Sequence, residues 1–136
     1  MLFQQLNRTD AEKVFGIFQN AETNAAPINS AVCLDLSTAV NGVRVKKPAT
    51  AELNGFVGLV HKEIPAGAYG LVQIYGYRAT GSVLRTNSDI TAGNMFAPVD
   101  GQFGVYVNTD GKHIMVCESL TSGTGTTALK VHIRAM

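Results

Sequence analysis

The stretch Ile64–Leu84, IPAGAYGLVQIYGYRATGSVL, decides the fold class. It opens on a turn, because Pro65 sets its own φ and Gly67 tolerates φ > 0. Leu71, Val72, Ile74, Tyr75 and Tyr77 follow as a long apolar and aromatic run. Extended backbone would put Leu71, Gln73, Tyr75 and Tyr77 on one face and Val72 and Ile74 on the other. Both faces are then largely apolar, which fits a strand covered on both sides rather than one at an edge. Gly76 interrupts the run and predicts a bulge or a close backbone approach there.

The opening of that stretch recurs. Glu63-Ile64-Pro65-Ala66-Gly67-Ala68-Tyr69 parallels Asp89-Ile90-Thr91-Ala92-Gly93-Asn94-Met95: acid, Ile, any residue, Ala, Gly, any residue, large apolar. Such a unit hands the chain from a turn to a strand: the Ile packs, the Gly takes the awkward backbone angle, and the large residue packs again. Two copies are too few for a solenoid, and they read as two similar turns in one β domain.

The chain has 136 residues, a length that suits one domain and needs no staples to fold. Charged residues make up 15%, well below the ~25% usual for soluble domains, so much of the surface is expected to be hidden, by partners as well as by the fold. Net charge is +1, and Lys46-Lys47 is the one adjacent basic pair, which reads as solvated loop charge and not as a nucleic-acid stripe. No apolar run reaches the length of a membrane span. The start, MLFQQLNRTDAEK, lacks the basic and apolar regions of a signal peptide, which predicts synthesis in a cytoplasm.

Read in order, Met1 to Arg8 is an N-terminal arm carrying Leu2, Phe3 and Leu6, and residues 9–136 form a single β domain. Thr9-Asp10-Ala11-Glu12 has the form of a capping box, so one helical turn is expected near Asp10 before a strand at Val14–Phe18, with a full helix as the alternative. Asn41-Gly42, Asn54-Gly55, Asp100-Gly101 and Asp110-Gly111 are hairpin signals; the last is expected to pair Val105–Val107 with Ile114–Cys117. Pro98 demotes Met95–Val99 to an edge or a bulge. Thr121–Thr127 reads as a flexible loop by composition. The last strand alternates, with Leu129, Val131 and Ile133 facing one way and Lys130, His132 and Arg134 the other. Short strands with frequent turn signals predict an all-β fold, a compact β-barrel or β-sandwich with at most one short helix.

Catalytic constellations are not visible. His113 and Cys117 would stand roughly 13 Å apart on one strand, Ser119 and Ser122 lack an elbow context, and the glycines from Gly67 to Gly76 lack phosphate-loop spacing. Glu63, Asp89 and Asp100 fall at turns, where local backbone bonding explains them. Cys33 and Cys117 lie far apart in apolar runs and read as buried free thiols. His61, His113 and His132 are scattered, so neither a metal nor another cofactor is expected, and no enzymatic activity.

These residues carry a resemblance. Asp10-Ala11-Glu12-Lys13-Val14-Phe15 with Gln19-Asn20-Ala21, Val32-Cys33-Leu34-Asp35, Gly42-Val43-Arg44-Val45 with Pro48-Ala49-Thr50, and Val131-His132-Ile133-Arg134-Ala135-Met136 all contribute. The most distinctive piece is Gly67-Ala68-Tyr69-Gly70-Leu71-Val72-Gln73-Ile74-Tyr75-Gly76-Tyr77-Arg78. From Asp10 onward the chain resembles the head decoration, or capsid cement, proteins of tailed bacteriophages. Gly16 departs from the β-branched residue expected there.

The resemblance implies a non-enzymatic virion protein on the capsid exterior that bridges neighbouring major capsid subunits, with no nucleic acid or membrane partner. Symmetric shells offer identical sites, so self-association as a homotrimer is favoured, with a dimer as the rival. Candidate contacts are Leu2, Phe3 and Leu6 as an anchoring arm, Lys130, His132 and Arg134 as a weak basic stripe, and Tyr75, Tyr77 and Arg78 as a subunit contact. Their plainer alternatives are a frayed end, a solvated strand face and ordinary core. The rival functions are a tail or fibre component and a carbohydrate-binding β-module for host adsorption; the absence of Trp weighs against the latter.

Overall fold

The longest element, β5 (Tyr69–Thr86), pairs directly with four other strands. The computed structural model describes residues 12–38, 41–107, 111 and 113–135. The N-terminal half of β5 is flanked by β1 (Lys13–Asn20) and β4 (Phe56–Val60), and β2 (Ala31–Leu34) and β3 (Arg44–Lys46) complete a circuit, β1-β3-β2-β4-β5. The C-terminal half is flanked by β7 (Val105–Val107) and β9 (Thr124–Arg134), and β6 (Met95–Pro98) and β8 (Ile114–Val116) complete a second circuit, β5-β7-β6-β8-β9. One nine-stranded sheet thus closes twice around a shared strand. The fold is all-β, as expected, and the barrel-or-sandwich choice resolves into two small rings with β5 in common. Among the described residues the helical content is one 3-10 helix, Thr50–Gly55.

Two apolar cores follow from the two rings. Val32, Val45, Val57, Val60, Ile64 and Val72 form one. Val83, Phe96, Val105, Ile114, Val131 and Ile133 form the other, joined by Ala31, Cys33, Phe56 and Leu59. β2 and β4 therefore feed both cores with alternate residues, which is why β4 is buried along its whole length. Each fully buried Leu or Phe side chain contributes about 1.5–3 kcal/mol. Cys33 lies within this packing, and burial, followed by the nearby Glu52 charge, pushes its thiol up to about 12. Cys117, expected to be buried, is exposed instead, and both thiols are free.

The face expected to hold Leu71, Gln73, Tyr75 and Tyr77 together is split. Gln73 pairs with Phe15 and Tyr75 with Val14, so Ile74 has no opposite residue on β1. That bulge shifts the alternation, leaving Leu71 and Gln73 on one face and Tyr75 and Tyr77 on the other. Gly76 is the close approach: its φ is 100°, and a Cβ there would overlap the carbonyl of Glu12. At Gly16, which stays paired with Val72, the Phe18 ring covers the position; a Cβ would lie 2.5 Å from its Cε2.

The two acid-Ile turns have the same bonding. Ile64 bridges Ala26, and Ile90 bridges Leu120. The Ala68 N–H donates to Pro65 O at 3.1 Å, and the Asn94 N–H to Thr91 O at 2.9 Å. The Gly67 N–H donates to Asn20 O and the Gly93 N–H to Val116 O; the Asn20 and Val116 N–H groups return bonds to Ala68 O and Asn94 O. Gly67 and Gly93 have φ of 71° and 95°. The register continues outward, Gln19 opposite Tyr69 and Met115 opposite Met95. Each ring is thus entered through the same hook, with Ile64 in one core and Ile90 in the other.

Several local expectations are corrected. β7 and β8 do not pair with each other; they flank β6, β7 along Phe96–Pro98 and β8 along Met95–Phe96. A turn signal shows that the chain reverses, not which strand it meets. β6 is accordingly an interior strand, and Pro98 sits where only β7 pairs with it. Thr124–Thr127 is strand rather than loop, because β5 offers it partners from Val83 to Thr86. Asn54-Gly55 closes the 3-10 helix instead of a hairpin. The Asn41-Gly42 signal lies in the long connection between β2 and β3, which do pair. Asp10, with its expected helical turn, lies outside the described residues.

Where β5 passes from one ring to the other it is polar. Arg78 is 7% exposed and has no carboxylate partner among the described residues. Its Nε donates to Asn29 Oδ1 at 2.8 Å, Nη2 to Asn29 Oδ1 and to Val60 O, and Nη1 to Gln73 Oε1 at 3.3 Å. Gln73, fully buried, donates onward to the carbonyls of Tyr75 and Tyr77 at 3.2 and 2.9 Å. The guanidinium therefore clamps the end of β4 and the Asn29 turn to β5. Burial lowers its pKa, yet an arginine at this position keeps its charge.

A second polar cluster holds the connection between β2 and β3. Lys46 Nζ meets Glu52 Oε1 at 2.9 Å and Asp35 Oδ1 at 3.6 Å, and Arg44 Nε lies 3.6 Å from Asp35 Oδ2. The Ser37 hydroxyl and N–H both donate to Asp35 Oδ1. The hydroxyl bond first, then the Ser37 N–H and the Lys46 and Arg44 charges, hold the Asp35 carboxyl below the usual carboxylate range.

Two outcomes follow. Arg78→Ala removes the donor to Gln73 Oε1, leaves Asn29 Oδ1 with the Thr80 hydroxyl, and lowers stability by about 2–4 kcal/mol in urea unfolding; an unchanged midpoint contradicts the clamp. Because the folded-state pKa of Asp35 is depressed, its contribution is complete above the unfolded value of ~3.9 and is lost as pH falls through the folded value. Asp35→Asn therefore flattens the acid limb of stability against pH, which urea midpoints from pH 2 to 6 read directly.

Candidate interaction surfaces

β5 and β9 place most of the expected contact residues on one face. Tyr75 stands opposite Arg134 and Tyr77 opposite His132, while the alternate residues Gly76, Arg78, Val131 and Ile133 are buried. The Tyr75 and His132 rings meet edge-on, 5.4 Å apart at 87°. β8 extends the face with Met115, opposite His132. Lys130 and Arg134 are exposed, and Lys130 is partly answered within the chain by Glu118, 3.7 Å from its Nζ. His132 Nδ1 is buried without a hydrogen-bond partner among the described residues. The result is a mixed aromatic and basic face with half-buried tyrosines.

Arg78 is not on that face. The alternation that exposes Tyr77 turns Arg78 inward, where its donors are used inside the chain. Leu2, Phe3 and Leu6 lie outside the described residues.

A second surface escaped the sequence reading. On the N-terminal half of β5, Ile17 of β1 lies directly opposite Leu71, Gln19 opposite Tyr69, and Phe15 opposite Gln73. Ile17 is 69% exposed, Tyr69 63%, Leu71 42% and Phe15 37%. The Phe15 ring leans on His61, with centroids 4.9 Å apart. Burial, then the charges of Arg78, Lys62 and Lys13, hold the His61 pKa below its ordinary value. The missed signal was the alternation of Phe15 and Ile17 with Val14, Gly16 and Phe18. It indicated a strand with two apolar faces, and one ring can cover only one of them.

Among the described residues no group of three His, Cys, Asp or Glu could hold a metal, and no helix is long and apolar enough to cross a membrane. Burial and Glu118 raise the Cys117 thiol, which disfavours a thiolate nucleophile. A depression beside Asp89, Ile90 and Leu120 holds about 250 Å³, and one beside Ile28, Ser82 and Phe103 about 180 Å³. Small-molecule sites usually start near ~300 Å³.

No protein-family model matches the chain, and no curated protein matches its sequence. Among solved structures, the fold is similar to the N base of the head fibre protein gp8.5 of bacteriophage phi29, with a TM-score of 0.53 and 13% identity over 91% of this chain and 96% of that one.

Proposed function

We propose that this chain is a structural protein of a phage virion, seated on the outside of the head. The observation that carries the reading is the likeness of fold, along nearly the whole chain, to the base of a phage head fibre. The residues quoted above for their resemblance to head decoration proteins point to the same place, and the surfaces support it physically. A shell protein binds through modest contacts spread over a face, with aromatic and arginine side chains near the centre. The face of Tyr75, Tyr77, Lys130, His132 and Arg134 has that composition and is the candidate contact with the major capsid protein. The cement reading has the chain bridge neighbouring capsid subunits, as a cyclic homotrimer on a threefold or quasi-threefold axis or as a dimer on a twofold. A second reading, the base of a head fibre, is favoured by the identity of the structural neighbour. On that reading the chain binds the same shell but carries further protein outward.

Purified protein mixed with undecorated heads tests the location by electron cryomicroscopy. Ordered density repeated over the shell exterior is expected; label confined to the tail, or no added density, overturns it. Reversing charge in Lys130→Glu with Arg134→Glu tests the face. Occupancy is expected to fall several-fold at low salt and to lose part of its salt dependence. Unchanged occupancy in a folded double variant moves the contact elsewhere.

A further inference from the structure

Among the described residues, most of β1 has no strand on its outer side. Its ladder with β3 covers only Gln19 and Asn20. The Gln19 N–H donates to Val43 O on that side, at 2.8 Å. Alternate residues of a strand direct their N–H and C=O the same way, so Phe15 and Ile17 present theirs there too, with no strand beside them among the described residues. The adjoining face is the apolar one formed by Phe15, Ile17, Tyr69 and Leu71. An open edge beside an exposed apolar face is a template for an added strand, and proteins that leave one uncovered aggregate.

The chain itself supplies a strand of matching chemistry. Residues 1–11 lie outside the described residues, and from Met1 to Asn7 they carry no charged side chain while including Leu2, Phe3 and Leu6. β1 and β5 are antiparallel, Lys13 stands opposite Gly76, and Glu12 lies against Gly76. The described chain thus enters β1 at Glu12 from the Gly76 end, the end away from Ile17. Covering its own edge would take a reversal of the chain between Asn7 and Glu12, whereas reaching a second copy takes none. Eleven extended residues reach about 36 Å, enough to cross to a neighbouring molecule.

We propose that residues 1–8 of one copy add as a strand to the open edge of β1 in a second copy, with Leu2, Phe3 and Leu6 covering the face of Phe15, Ile17 and Leu71. The exchange gives the self-association proposed above its connecting segment, and it is read on the isolated protein, so its failure is distinct from failure of the capsid reading.

The test uses light scattering coupled to gel filtration on the full chain and two variants: a deletion of residues 1–8, which keeps the edge and lacks the arm, and Ile17→Lys, which keeps the arm and burdens the edge with charge. Ile17 belongs to neither core, and far-UV spectra and a cooperative thermal transition verify folding of both variants. The intact protein is expected to run at a multiple of its 14.4 kDa chain mass, and each variant alone as a monomer. Mixed one to one, the variants are expected to associate, because the Ile17→Lys copy lends its arm to the free edge of the deletion variant. A monomeric intact protein, a deletion variant that still associates, or a mixture that stays monomeric overturns the proposal; the last outcome would mean that the arm covers its own edge.

Discussion

A single strand has to serve two closed rings, and nearly every unusual feature of the molecule answers to that demand. Val72 of β5 belongs to one core and Val83 to the other. Its neighbours are β1 and β4 near one end, β7 and β9 toward the other. A strand used this way cannot alternate apolar and polar residues as an exposed sheet does, and it must be long. The cost is kinetic as well as compositional: the pairings of β5 with β1 and with β9 each join residues some fifty positions apart, and such non-local pairings are slow to form.

Passing between rings also means changing which side of the strand looks inward. β5 does this with extra residues, Ile74 against β1 and one more between Arg78 and Gly81 against β9. Irregular pairing leaves backbone groups to satisfy, and the buried polar side chains stand there. Gln73 bonds the carbonyls of Tyr75 and Tyr77, and Arg78 binds Gln73, Asn29 and the end of β4. An isolated buried guanidinium would be costly, but here its donors meet neutral oxygens of the chain, so desolvation is offset by bonds that only this arrangement makes.

The sequence showed the importance of Ile64–Leu84, the all-β class, the two equivalent hooks and the alternation of β9, because each rests on local pattern: side-chain period, turn chemistry or a glycine forced into φ > 0. It did not show partner choice. Val105–Val107 and Ile114–Cys117 look like the arms of a hairpin, yet Phe96 needs a neighbour on each side and takes both. Thr121–Thr127 looks loose until β5 is seen to extend beside it. Tyr75, Tyr77, His132 and Arg134 were singled out from two distant segments, and the β5/β9 register is what brings them to one face. Arg78 goes with the tyrosines by residue type, since Tyr and Arg are both common at interface cores; the alternation turns it inward instead.

Closure restricts how such a molecule can bind others. Strands paired on both sides have no backbone to offer, so contacts must come from outward faces or from the few places where a ladder ends early. The low charge content fits this, since outward faces that are destined to be covered gain nothing from being strongly hydrated. The two surfaces differ in kind. On the β5/β9 face the tyrosine rings are half-buried and the charges are long-range, which suits adjustment to a separate partner. On the β1/β5 face Ile17 is mostly exposed beside backbone donors and acceptors that meet no strand among the described residues, a combination that water serves poorly and a strand serves well. The capsid role proposed above assigns the first kind of contact to the surface beneath the protein and the second to its own copies.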